Sequence, residues 1–101
     1  KNKNIQLIRS PKYSKSNTWL NVVKIENKKR LNLKQLLKKM LSKNIEVRPI
    51  WKCNHLQRPF IKNQSFSIKK AVKLVNNCMC IPSSYFLSKR EIAKISSLIS
   101  E

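Results

Sequence analysis

The chain has no glycine, and its acidic complement is four glutamates in 101 residues, with no aspartate at all. Without glycine it cannot form a glycine-rich loop that cradles phosphate. Isolated glutamates offer no carboxylate pair for acid–base catalysis. No apolar run is long enough to span a membrane, and no charged-then-apolar leader opens the chain, so residence in the cytoplasm is expected. Cysteine is sparse and odd in number: Cys53, Cys78 and Cys80. That count, with no secretory signal, speaks against a disulfide framework. Reduced thiols are expected, with Cys78 and Cys80 packed as small apolar groups. Together with His55 the cysteines supply four donor side chains, but each pair is separated by a single residue. Structural zinc sites space paired ligands by two to four residues on knuckle turns, so no metal is expected.

What is abundant is positive charge. Lys and Arg number 23 against four acids, a formal net charge of +19. Such a balance suits nucleic acid or another polyanion. The lysines are spread along the whole chain, and Lys, Asn, Ile and Ser are the residues an AT-rich coding sequence favours. Composition therefore accounts for much of the charge, and non-specific polyanion binding at low salt is expected from either source.

Length bounds the chain to one domain with a modest core. It opens on Lys1, which suggests a piece of a longer protein. Residues 1–16 read as a weakly structured lead-in with a short apolar patch at Ile5, Leu7 and Ile8 that fits an edge strand. Residues 18–26, with Trp19, Leu20, Val22, Val23 and Ile25, read as a strand buried on much of both faces. Asn27, Lys28 and Lys29 make a turn. Residues 30–42 carry Leu33, Leu36, Leu37, Met40 and Leu41 at three- and four-residue steps, one stripe of an amphipathic helix closed by Lys43 and Asn44. Residues 45–48 make a short strand and residues 61–65 a polar linker. Ser67 is placed as the N-cap of a helix running to Asn76. Cys78 to Ile81 form a third strand ended by Pro82. Ser88-Lys89-Arg90-Glu91 is a capping box opening the last helix, whose buried face is Ile92, Ile95, Leu98 and Ile99. This order predicts an α+β domain over residues 1–101, with helices on one face of a three- or four-stranded sheet.

The chemistry is concentrated in residues 45–60, where a short apolar run ends at Arg48 and Pro49. Arg48 brings a planar fork suited to phosphate or carboxylate. Trp51 offers a flat face to a sugar ring or base, Lys52 adds a point charge, and His55 can donate to a phosphate or hydroxyl. All follow on irregular backbone, where binding groups commonly sit. The plainer reading places Trp51 in the core, pairs Arg48 with Glu46 or a backbone carbonyl and leaves His55 exposed.

The segment Asn44-Ile45-Glu46-Val47-Arg48-Pro49-Ile50-Trp51-Lys52 followed by His55 resembles the GI-x-x-RP-x-W-K-x-x-H segment in the C-terminal small domain of DegT/StrS-family nucleotide-sugar aminotransferases. Asn17-Thr18-Trp19-Leu20 resembles the N-x-W-L strand that opens that domain. Cys80-Ile81-Pro82-Ser83-Ser84 resembles its I-P-S-S strand end, and Leu87-Ser88 with Glu91-Ile92 its closing helix. The pieces occur in order over nearly the whole chain. The resemblance implies the small domain of a fold-type I, pyridoxal-phosphate-dependent homodimer. In such enzymes the cofactor lysine belongs to the large N-terminal domain, glutamate usually donates the amino group, and the nitrogen passes to a sugar carried on a nucleoside diphosphate. The Arg-Pro-Ile-Trp-Lys form points to 4-keto-6-deoxy sugars, precursors of surface polysaccharides or glycans. It implies Arg48, Trp51, Lys52 and His55 as contacts to hexose and diphosphate. These residues alone would bind no cofactor and perform no catalysis; their partners would be the remainder of the chain, a dimer mate and the nucleotide sugar. Asn44 departs from the family's glycine, and the +19 charge is unusual for it. The competing readings are a small basic nucleic-acid-binding module and a non-catalytic remnant.

Overall fold

The computed structural model describes residues 5–26 and 32–100. In chain order these form β1 (Ile5–Leu7), β2 (Asn21–Ile25), α1 (Leu33–Ser42), β3 (Arg48–Pro49), two 3-10 turns (Asn54–Leu56 and Arg58–Phe60), α2 (Lys69–Val75), β4 (Cys78–Ile81) and α3 (Lys89–Ser100). The four strands make one antiparallel sheet in the order β1-β2-β4-β3. β4, last in sequence, thus sits between β2 and β3. The architecture is α+β, as the interleaving of strand and helix patterns predicts.

The register explains the core. Val23 and Pro49 both lie opposite Met79, while Val22 and Arg48 both lie opposite Cys80. Alternation therefore sends Val23, Ile25 and Met79 to one face, where they meet Leu36 and Met40 of α1 and Ile95 and Ile99 of α3. Ile45 and Val47 complete that cluster from the segment leading into β3. Cys78 and Cys80 occupy the opposite face and are also buried, so β4 is covered on both sides. Burial pushes both thiols above their ordinary pKa, which keeps them protonated and unreactive.

Several boundaries differ from the sequence pattern, each for a local reason. β2 begins at Asn21 because Thr18 sits at φ 55°, a left-handed turn that leaves Trp19 72% exposed. Asn17 Oδ1 accepts the Trp19 N–H at 3.1 Å and Ser16 Oγ the Thr18 N–H at 3.0 Å, holding this bend. α1 starts at Leu33 because Asn32 caps it, its Oδ1 accepting from Lys34 N at 2.9 Å and Gln35 N at 3.4 Å. The turn expected at residues 27–29 lies outside the described residues. Only β3's two residues pair with the sheet, although Ile45 and Val47 before them are buried.

Ser67 does not cap α2. It adopts φ 52°, the helix follows from Ile68, and no side chain caps it. Asn44, at φ 57°, does occupy the left-handed position after α1. The capping box at α3 forms as its residues predict: Ser88 N–H and Oγ donate to Glu91 at 2.8 and 2.6 Å, and Glu91 N–H returns to Ser88 Oγ at 3.2 Å. Among the described residues no helix is long and apolar enough to cross a membrane.

Candidate functional site

Arg48 is placed by β3, whose pairing with β4 puts it opposite Cys80. Its side chain is exposed and held by Glu46, with Nε donating to Glu46 Oε1 at 2.9 Å and Nη2 reaching the same oxygen. Hydrogen bonding and charge from Glu46 push the guanidinium above its ordinary pKa, so it is a permanent cation. The plainer reading of Arg48 is therefore correct about its partner. It is not correct about Trp51, which leaves the sheet 66% exposed.

Past Trp51 the backbone is irregular but tied. Leu56 N–H reaches Cys53 O, Gln57 N–H reaches Asn54 O, and Phe60 N–H reaches Gln57 O, each at 2.9 Å. Gln57 Nε2 adds a 2.8 Å bond to Lys52 O and one of 3.2 Å to Asn54 Oδ1. Lys52 is consequently fixed at its carbonyl while its side chain stays exposed, and His55 is half-buried in the first 3-10 turn. Leu56, Phe60 and Ile61 are exposed alongside.

Three hollows mark the described surface. Arg48 lines one of about 500 Å³, together with Glu46, Asn44, Ser84, Glu91 and Lys94. A second, of about 450 Å³, lies between α1, Pro49, Ile50 and the end of α2. The third, of about 570 Å³, is largely apolar and runs between β1, the β4–α3 connection and α3. Trp51, Lys52 and His55 line none of the three. Of the four, Arg48 lines one of these hollows, while exposed Trp51 and Lys52 and half-buried His55 lie outside them. Ser84 and Glu91 fall in motifs the sequence displays. Lys94 has no sequence signal: it is one more lysine on a helix until α3 packs beside β4.

Among the described residues, no three or more His, Cys, Asp or Glu side chains gather to hold a metal ion. Pyridoxal phosphate needs a lysine for its imine and an acidic or guanidinium partner for its ring nitrogen, set in an enclosed site. No described lysine, arginine or glutamate is buried. These residues do not fit the cofactor.

The fold is similar to the crystal structure of an aminotransferase, TlmJ, from Streptoalloteichus hindustanus, with a TM-score of 0.79 and 11% sequence identity. The match covers 97% of this chain and 26% of that one, so the chain spans about a quarter of that relative's length. At that identity the likeness speaks to fold alone. The sequence supplies the rest: a family model for DegT/DnrJ/EryC1/StrS aminotransferases matches residues 1–100. A match over almost every residue, on a backbone shared with a solved aminotransferase, makes this chain a member of the DegT/DnrJ/EryC1/StrS aminotransferase family.

Proposed function

We propose that this chain is the C-terminal small domain of a pyridoxal-phosphate-dependent aminotransferase, one α+β unit, and that it supplies the edge contacting a nucleotide-linked 4-keto-6-deoxy sugar. Arg48 and Lys52 meet the diphosphate, Trp51 stacks on the hexose, and His55 donates to a phosphate or sugar hydroxyl. The cofactor and its lysine belong to the remainder of the enzyme, and a dimer mate completes the site. The chain's own work is binding and orientation: its cations offset substrate charge, and its indole excludes water from one face of the sugar.

One observation carries this reading. The segment that matches the family's motif leaves the sheet with a guanidinium, an indole and an ammonium all exposed, on backbone tied down by the Gln57 bonds. An exposed tryptophan on ordered backbone is an expensive surface unless something covers it.

The test uses the complete enzyme. Arg48→Ala is expected to raise the KM for the sugar nucleotide roughly tenfold, the scale of one lost charge-assisted contact, and to leave the half-reaction with glutamate unchanged. If both half-reactions fall together, Arg48 does not face the sugar nucleotide and the reading fails.

A further inference from the structure

The hollow beside Arg48 carries an arrangement that the four motif residues do not explain. Its two cations come from different elements, Arg48 from β3 and Lys94 from α3, and both carboxylates on it, Glu46 and Glu91, belong to a chain with only four acids. The two carboxylates are not equivalent. Glu91 is committed to the capping box, accepting from both Ser88 N and Ser88 Oγ; these bonds, with a smaller contribution from the charge of Lys94, hold its carboxyl below the usual range. Glu46 is committed only to Arg48, in a pair whose side chains are 77% and 70% exposed. Exposed pairs of this kind are worth little and exchange readily.

An incoming anion therefore meets one fixed carboxylate and one displaceable one, inside the field of a strongly basic chain. Ser84 Oγ accepts from Phe86 N–H at 3.3 Å and keeps its own hydrogen to donate. Ser83 is already occupied, donating to Trp19 O at 2.6 Å. We infer that Lys94 joins Arg48 and Lys52 as a further cation of the diphosphate site, and that Glu46 occupies Arg48 until the phosphate replaces it. Two cations on separate walls suit a ligand with two linked anionic groups better than a single carboxylate. The inference rests on the sugar-nucleotide reading of Arg48 and extends it to a residue outside the segments that resemble the family's.

The experiment measures binding of uridine diphosphate, and separately of inorganic pyrophosphate, to the full enzyme at fixed ionic strength. Lys94→Ala and Lys94→Gln are expected to weaken both roughly three- to tenfold, and Lys94→Arg to restore them. Lys38→Ala, at another exposed lysine, on α1, that lines none of these hollows, is the control for general charge and should change binding less than about twofold. Glu46→Gln is expected to tighten binding about two- to threefold by freeing Arg48. If Lys94→Ala matches Lys38→Ala while Arg48→Ala still weakens binding, Lys94 has no such role and the sugar-nucleotide reading survives. If Arg48→Ala also does nothing, both fall. Loss of the glutamate half-reaction in Lys94→Ala would assign the hollow to the amino donor and overturn the inference.

Discussion

At the residue scale, two positions show how local chemistry sets backbone direction. Asn44 must turn the chain out of α1 at φ 57° while its N–H reaches Leu41 O at 3.0 Å. Asparagine tolerates this geometry, whereas a β-branched residue does not. Asn44→Val is expected to lower stability by about 1–2 kcal/mol and Asn44→Gly to leave it nearly unchanged, read as urea midpoints at constant m. Glu91 is the second case. Its carboxyl is held below the ordinary range first by the Ser88 hydroxyl and then by the Ser88 N–H. A depressed folded value means the contribution is complete above the unfolded value, about 4.3, and is lost as pH falls through the folded one. The Tm gap between the parent and Glu91→Ala should therefore be constant near neutrality and close in acid. A gap that widens on acidification would show that the capping box is not what the carboxylate stabilises.

At the scale of elements, the helices are legible because their apolar stripes are real, but their partners are not. Leu36 and Met40 are fully buried, as the stripe requires, whereas Leu41 on its margin is 54% exposed. In α3, Ile95 and Ile99 are buried while Ile92 is 52% exposed and lines the apolar hollow. Among the described residues Met40 and Met79 are the two with 0% exposure, one on α1 and the other on the inner strand β4, within a single cluster. Met40→Ala is expected to cost about 2–5 kcal/mol, a large part of a small domain's stability, and to appear in thermal melts as a lower Tm. Leu41→Ala, one residue away, should cost far less. The cap expected of Ser67 is not formed: Ser67 has the right residue type but adopts a left-handed φ, and α2 follows from Ile68 with no side-chain cap.

At the scale of the whole molecule, the surface departs from that of a compact monomer. All seven aromatic residues are exposed: Tyr13, Trp19, Trp51, Phe60, Phe66, Tyr85 and Phe86. The core is aliphatic and sulfur-bearing instead. The surface of 8971 Å² far exceeds the roughly 5,900 Å² that size scaling gives a compact monomer of this mass. The radius of gyration, 15.2 Å, likewise exceeds the roughly 13 Å of a compact hundred-residue domain. Exposed rings and excess surface together fit a unit that packs against further protein. Charge adds to the strain on the isolated chain. Self-repulsion at +19 destabilises the compact state, and salt screens it over a Debye length of about 8 Å near physiological ionic strength. Raising sodium chloride from low levels should therefore increase Tm and release any bound polyanion. A Tm that falls with salt would mean the scattered glutamates contribute more than the repulsion. Polyanion binding that outlasts high salt and depends on base sequence would favour the nucleic-acid module instead.

The sequence by itself determined the α+β class, the amphipathic stripes, the α3 capping box, the left-handed Asn44 and the ordered set of segments that mark the family. These depend on neighbours a few residues apart, and such rules can be read along the chain. Only the tertiary structure decided that β4 sits between β2 and β3. It likewise decided that Arg48 shares a hollow with Lys94 and not with Trp51, and that every aromatic ring lies on the surface. Where a side chain on irregular backbone comes to rest depends on which distant element packs beside it, and no spacing within the chain encodes that.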